Sequence, residues 1–155
     1  SLEERALDFG TTFTSVLCET LGIEWLSERR HAGLSRGNAV VAYQDRLLSI
    51  GGQSRSGACC TNEIWAAKPS GIWELQPRPP WERRRNHAAV VDGTGRLLVI
   101  CGTDFRLNGF SDVWAFNGVD WKELVEARFP GERGAPPRLV AAGTAEGAIV
   151  VAAYD

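Results

Sequence analysis

Methionine is absent from all 155 residues, position 1 included, while histidine and tyrosine occur only twice each and cysteine four times. The missing methionine suits equally a trimmed segment and a processed, organelle-imported or secreted chain, so the compartment stays open. Nothing in Ser1-Leu-Glu-Glu-Arg resembles a signal peptide. Two histidines, with no Cys-x-x-Cys or His-Glu-x-x-His spacing, give no basis for a zinc site. A Gly-x-Ser-x-Gly elbow and a phosphate-cradling glycine loop are also missing, so two common routes to catalysis have no foothold. The apolar run from Ala148 to Ala153 is far too short to span a bilayer. Helical periodicity does not extend beyond residues 2–7. The four cysteines allow three pairings, yet their spacing resembles no disulfide framework. Cys18 and Cys101 fall at small-residue strand positions and are expected as buried free thiols, with Cys59 and Cys60 more exposed in a loop.

What is present is a globular composition with a repeat written through it. The chain is 44% hydrophobic and 23% charged with net charge −2, ordinary for one domain able to bury a core. Arg46-Leu-Leu-Ser-Ile-Gly-Gly52 returns as Arg96-Leu-Leu-Val-Ile-Cys-Gly102, Asn62-Glu-Ile-Trp65 as Ser111-Asp-Val-Trp114, and Trp73 as Trp121. All three displacements agree on one period of roughly fifty positions, which marks a repeat architecture. The frame runs on at both ends. Ser15-Val-Leu-Cys18 and Ile23-Glu-Trp25 stand one period before Glu63-Ile-Trp-Ala66 and Gly71-Ile-Trp73. Arg138-Leu-Val-Ala-Ala142 and Ala148-Ile-Val-Val-Ala152 match the opening strands of a further unit. Each unit holds four short runs rich in Val, Ile, Leu and Trp, separated by Gly, Asp, Asn or Pro. That pattern predicts an all-β chain of four-stranded antiparallel meanders, one of them over 87–91, 96–101, 111–116 and 120–124.

These landmarks resemble the kelch repeat: an Arg shortly before His87-Ala-Ala-Val-Val91, a double glycine at Gly51 and Gly52, an Asn-Asp-Val-Trp run, and a later Trp. The likeness covers residues 15–152, with Cys101-Gly102 in place of one double glycine and Leu17 in place of one Trp. It implies kelch-type β-propeller blades over 37–77 and 78–125, flanked by partial blades at 1–36 and 126–155. In that frame Gly51, Gly52, Gly102, Trp65, Trp73, Trp114 and Trp121 are structural, the glycines for backbone approach and the indoles for filling space between sheets. Rings generally need four to eight blades. Three blades' worth of strands cannot close alone, so either more chain exists beyond this segment, or another copy or a further chain completes the ring.

In a meander the loops between strands 2 and 3 and those joining one unit to the next share one end. At that end twelve arginines, among them Arg29, Arg30, Arg55, Arg83, Arg84, Arg85, Arg106 and Arg133, face five acids. The excess is about +7, leaving −9 for the rest of a chain whose total is −2. Arginine suits bidentate carboxylate contacts, and Trp81 beside Pro79 and Pro80 adds an aromatic anchor. Trp81, Arg83, Arg84, Arg85, Arg29, Arg30, Arg55, Arg106 and Arg133 are accordingly the candidate partner-binding residues. They point to a non-enzymatic scaffold that docks an acidic protein surface, with no cofactor; the overall charge argues against nucleic acid. The alternative is a small-ligand, carbohydrate-binding or enzymatic propeller with Trp81, Arg83 and Asp104 near a pocket. A copper oxidase of this architecture needs a Tyr/His/Cys ligand set, for which only Tyr43 and Tyr154 offer tyrosines, both at strand positions.

Overall fold

The computed structural model describes residues 12–19, 22–28, 35–54, 60–68, 72–128, 138–143, 147 and 149–154. Twelve strands appear among them, all antiparallel, together with one short 3-10 turn at Val125–Ala127. β1 (Thr12–Glu19) pairs with β2 (Gly22–Glu28). β3 (Ala39–Tyr43), β4 (Arg46–Ile50), β5 (Ile64–Ala67) and β6 (Trp73–Leu75) form sheet I as a simple meander. Sheet II repeats that order with β7 (Ala88–Val91), β8 (Leu97–Ile100), β9 (Val113–Phe116) and β10 (Trp121–Glu123). β11 (Arg138–Gly143) and β12 (Ile149–Tyr154) make a final pair. The meander expected over 87–124 is therefore present, with each strand slightly shorter than its sequence run.

Strand alternation decides what each sheet offers its neighbours. One side of sheet I carries Val41, Tyr43, Leu48, Ile50, Ile64 and Ala66. It packs on Ala89, Val91, Leu97, Val99, Trp114, Phe116 and Trp121 of sheet II, with Trp81 completing this core. The opposite side of sheet II carries Ala88, Val90, Leu98, Ile100, Val113 and Ala115, and it packs on Ala141, Ile149 and Val151. Each sheet thus has a leading side, which receives the previous sheet, and a trailing side, which the next sheet covers. β8 lies in the middle of this stack, and all four of its residues, Leu97–Ile100, are buried. That explains why its sequence is a continuous apolar run rather than an alternating one.

The glycine pairs sit where chain segments nearly touch. Gly51 has φ +57, and a Cβ there would come within 2.8 Å of both the Arg84 carbonyl oxygen and the His87 ring. Gly102 has φ +100, and a Cβ there would lie 2.7 Å from that of His87. Both positions exclude side chains on steric and conformational grounds. Cys101 adopts φ +55 where the first repeat has Gly51, so the substitution in the second unit keeps the backbone turn. A non-glycine residue in that region costs on the order of 1–3 kcal/mol.

Candidate functional site

The 2–3 loops and the inter-unit loops meet at one end of the stack. Their backbones are stitched together around Arg84: its N–H donates to the Thr61 carbonyl (3.1 Å) and its own carbonyl accepts from Gly52 (2.9 Å). Arg85 exchanges hydrogen bonds with Thr103, 3.0 Å in one direction and 2.8 Å in the other, tying the same segment to the sheet II loop. Gln53 donates to the Arg36 carbonyl, which brings a third segment to this end.

Arg84 is wholly buried. Its guanidinium makes two 2.7 Å bonds to the Asp112 carboxylate and a third, also 2.7 Å, to the Cys101 carbonyl. It lies over the Phe110 ring at 4.5 Å and the Trp81 ring at 5.2 Å. Burial alone would raise the Asp112 carboxyl, but the hydrogen bonds and charge of Arg84 hold it below its ordinary value. Asp112 also accepts from the Trp114 indole at 2.7 Å, and Glu63 takes the Trp65 indole at 3.2 Å in the equivalent place. The acid-x-Trp run in each repeat is thereby an internal clasp.

This geometry corrects two of the expected contact residues. Trp81 is 2% exposed, edge-on to Trp121 with ring centroids 5.9 Å apart, and belongs to the core between the sheets. Arg84 spends its side chain on the Cys101 carbonyl and the Asp112 carboxylate, and it has no surface to offer a partner. Both were drawn inward by contacts between segments distant in sequence. Cys60 also departs from expectation: it is buried, with its thiol 4.0 Å from the Thr103 carbonyl oxygen. Cys101 is buried and free as expected, and burial, helped by Asp112, pushes its thiol up to about 11. Arg29, Arg30, Arg55, Arg133, Cys59 and the Cys18 side chain lie outside the described residues.

His87 is buried, and burial first, then the Arg84 charge, lowers it to about 3, so it stays neutral at physiological pH. The structural indoles divide: Trp73 is buried, while Trp65, Trp114 and Trp121 are half-buried, Trp121 stacking on Phe116 at 5.0 Å.

The solvent side of this end is built differently. Arg83 and Arg106 are exposed, and Arg85 is half-buried. Arg106 lies over the Phe105 ring at 5.0 Å. Phe105 is 61% exposed and Leu107 54%, two large apolar side chains flanking a cation at one loop tip. Asp104 holds the tip: one carboxylate oxygen accepts from the Arg106 N–H (2.7 Å) and the Asn108 N–H (2.9 Å), the other from the Asn108 side chain (2.8 Å). Sequence reasoning missed Phe105 and Leu107. The signal available was Asp104-x-x-x-Asn108, a side-chain-closed turn bracketing residues that a merely connecting loop would not make apolar. Among the other described arginines, Arg128 pairs with Glu123 at 2.9 Å and Arg78 approaches Glu63 at 4.0 Å.

A cavity of about 570 Å³ lies elsewhere, lined by Tyr43, Leu48, Ile64, Phe116 and Trp121 with Arg46, Arg78 and Asp120 as its charged members. Trp81, Arg83 and Asp104 take no part in it. Among the described residues no group of three His, Cys, Asp or Glu could hold a metal ion, and no helix is long and apolar enough to cross a membrane.

No family model matches the sequence, and no curated protein matches it either. Solved structures do match, 108 chains in number, so the fold resemblance reaches further than the sequence resemblance. A solved structure of the protein YjhT superposes over 79% of this chain with a TM-score of 0.64 and 14% identity. The chain spans 45% of that structure's length. At this identity the likeness concerns the fold alone.

Proposed function

We propose that this chain is part of a kelch-type β-propeller that acts as a docking module rather than an enzyme, and that its long-loop end holds an acidic protein surface. The repeat motifs and the face-to-face stacking of successive meanders support the architecture. The observation that carries the function is the loop tip Phe105-Arg106-Leu107, exposed yet fixed in shape by Asp104. Aromatic and arginine side chains carry much of the energy at protein interfaces, and a pre-shaped loop loses less entropy on binding than a mobile one. Arg83, from the adjoining loop, adds a second exposed cation that forms no ion pair among the described residues.

The site is the earlier Arg-rich end with its anchor moved. Phe105 takes the part assigned to Trp81, and Arg106 with Arg83 takes the part assigned to the whole arginine run. Exposed cations of this kind speed encounter with an acidic surface, and the effect weakens with salt. The net charge of −2 and the apolar tip favour a protein over nucleic acid.

Co-purification from a source extract tests the reading. Phe105→Ala, Arg106→Glu and Arg83→Glu should each reduce capture of the same acidic protein about tenfold or more. Arg46→Glu, on the turn at the opposite end, should leave capture unchanged. Equal capture by all four variants overturns the assignment.

A further inference from the structure

We propose that the cavity between sheets I and II is a binding site for a small aromatic carboxylate. It lies at the short-turn end, away from the docking loops, and does not depend on them. The β3–β4 turn contributes Tyr43 and Arg46, the β9–β10 turn Gly118 and Asp120, and the stretch after β6 Arg78. Its volume of about 570 Å³ falls in the usual range of small-molecule pockets, about 300–1,000 Å³. Leu48, Ile64 and Leu97 supply an aliphatic lining, and Tyr43, Phe116 and Trp121 an aromatic one. Phe116 stacks on Trp121 with ring centroids 5.0 Å apart, and Tyr43 is tilted against Phe116 at 6.1 Å. Phe116 and Trp121 are only half-buried, so the core does not use up this aromatic wall. A planar ring is the body that such a wall accepts best.

The charge of the ligand follows from a difference between the two repeats. In sheet II the Asp92 carboxylate takes up the Arg96 guanidinium at 2.8 Å across the β7–β8 turn. In sheet I Tyr43 stands at the Asp92 position and Arg46 at that of Arg96, directly opposite one another in the ladder. The exchange of a carboxylate for a phenol leaves Arg46 exposed, with no ion pair among the described residues. Arg78 reaches Glu63 only at 4.0 Å. With Asp120 the lining holds two cations and one anion, a balance that favours a singly charged carboxylate over a phosphate dianion. The polar donors agree. Tyr43 is 6% exposed, and its hydroxyl accepts from the Gln44 amide at 3.4 Å, which leaves its own proton to donate. Gly118 has φ +98, and a Cβ there would lie 3.1 Å from that amide and 3.5 Å from that hydroxyl, so the glycine keeps both uncovered. Directly opposed residues share a face of the sheet, so one carboxylate can accept from both Arg46 and Tyr43.

Titration with 3-phenylpropionate, followed by calorimetry and by the indole N–H resonance of Trp121, is the test. The acid should saturate the site below about 10 mM and shift that resonance, and its neutral amide, 3-phenylpropionamide, should bind about tenfold more weakly. Arg46→Gln should bring the acid down to the affinity of the amide. Arg46 is exposed, so its replacement leaves the core untouched. Arg96→Gln, at the equivalent position of sheet II, should leave the preference for the acid intact. The proposal is overturned by no saturable shift at Trp121, by equal binding of acid and amide, or by an acid preference that survives Arg46→Gln. Tighter binding of phenyl phosphate than of the acid overturns it too. Capture of the acidic protein through Phe105 is read separately, so failure here leaves the docking assignment standing.

Discussion

Trp81, Arg84, Phe110, Asp112 and His87 form one connected group under the long-loop end, and each is intelligible only through the others. Arg84 is in water's reach nowhere, so its charge depends on the paired carboxylate of Asp112 and on the Cys101 carbonyl. Removing one member of a buried pair leaves the other uncompensated, at a cost of about 3–5 kcal/mol. Arg84→Met should therefore lower unfolding stability by that amount in urea melts, while Arg83→Met, at the exposed neighbouring position, should change it by less than about 0.5 kcal/mol. Equal effects would contradict the burial of Arg84. His87 gives a pH signature. Its folded value near 3 lies below the ordinary 6.5, so the unfolded chain takes up the proton first. The stabilisation is fully present above pH 6.5 and is lost as pH falls toward 3, by at most about 1.4 kcal/mol per unit. Between pH 6.5 and 5 this group should cost the wild-type chain about 1.6 kcal/mol, and His87→Phe should flatten that slope in urea melts. The lowered carboxyls of Asp92 and Asp112 act further down, where carboxylates ordinarily titrate.

At the scale of elements, the strands were legible because period-2 alternation and the repeated glycines mark both their faces and their ends. The continuous apolar run Leu97-Leu-Val-Ile100 matches the burial of β8 on both sides. The acid-x-Trp runs announced β5 and β9, though not that the carboxylate and the indole would be bonded to one another. Burial within loops was not legible. Cys60 and Trp81 sit in segments rich in polar residues, prolines and glycines, which ordinarily read as surface. The backbone bridges from Thr61 to Arg84 and from Arg85 to Thr103 press both segments inward. Those contacts join positions in different loops, well separated in sequence, and no local pattern encodes them. The exposed tip at Phe105 is the converse case. Two apolar residues stand in a loop otherwise marked by its cation, and their display depends on a single aspartate.

At the scale of the whole molecule, the stacked sheets present two unlike ends. The long-loop end displays Phe105, Arg106 and Arg83, the surface proposed to meet an acidic partner. The short-turn end, with Val119 79% exposed, offers a control of comparable apolar exposure. The central claim is that docking occurs at the long-loop end. Photo-crosslinking in the source cell tests it most directly, with p-benzoylphenylalanine placed at Phe105 in one variant and at Val119 in another. The account predicts a discrete adduct with an acidic protein from position 105, lost when Arg83→Glu and Arg106→Glu are added, and no such adduct from position 119. Capture of the same protein from 119 and not from 105 would contradict it.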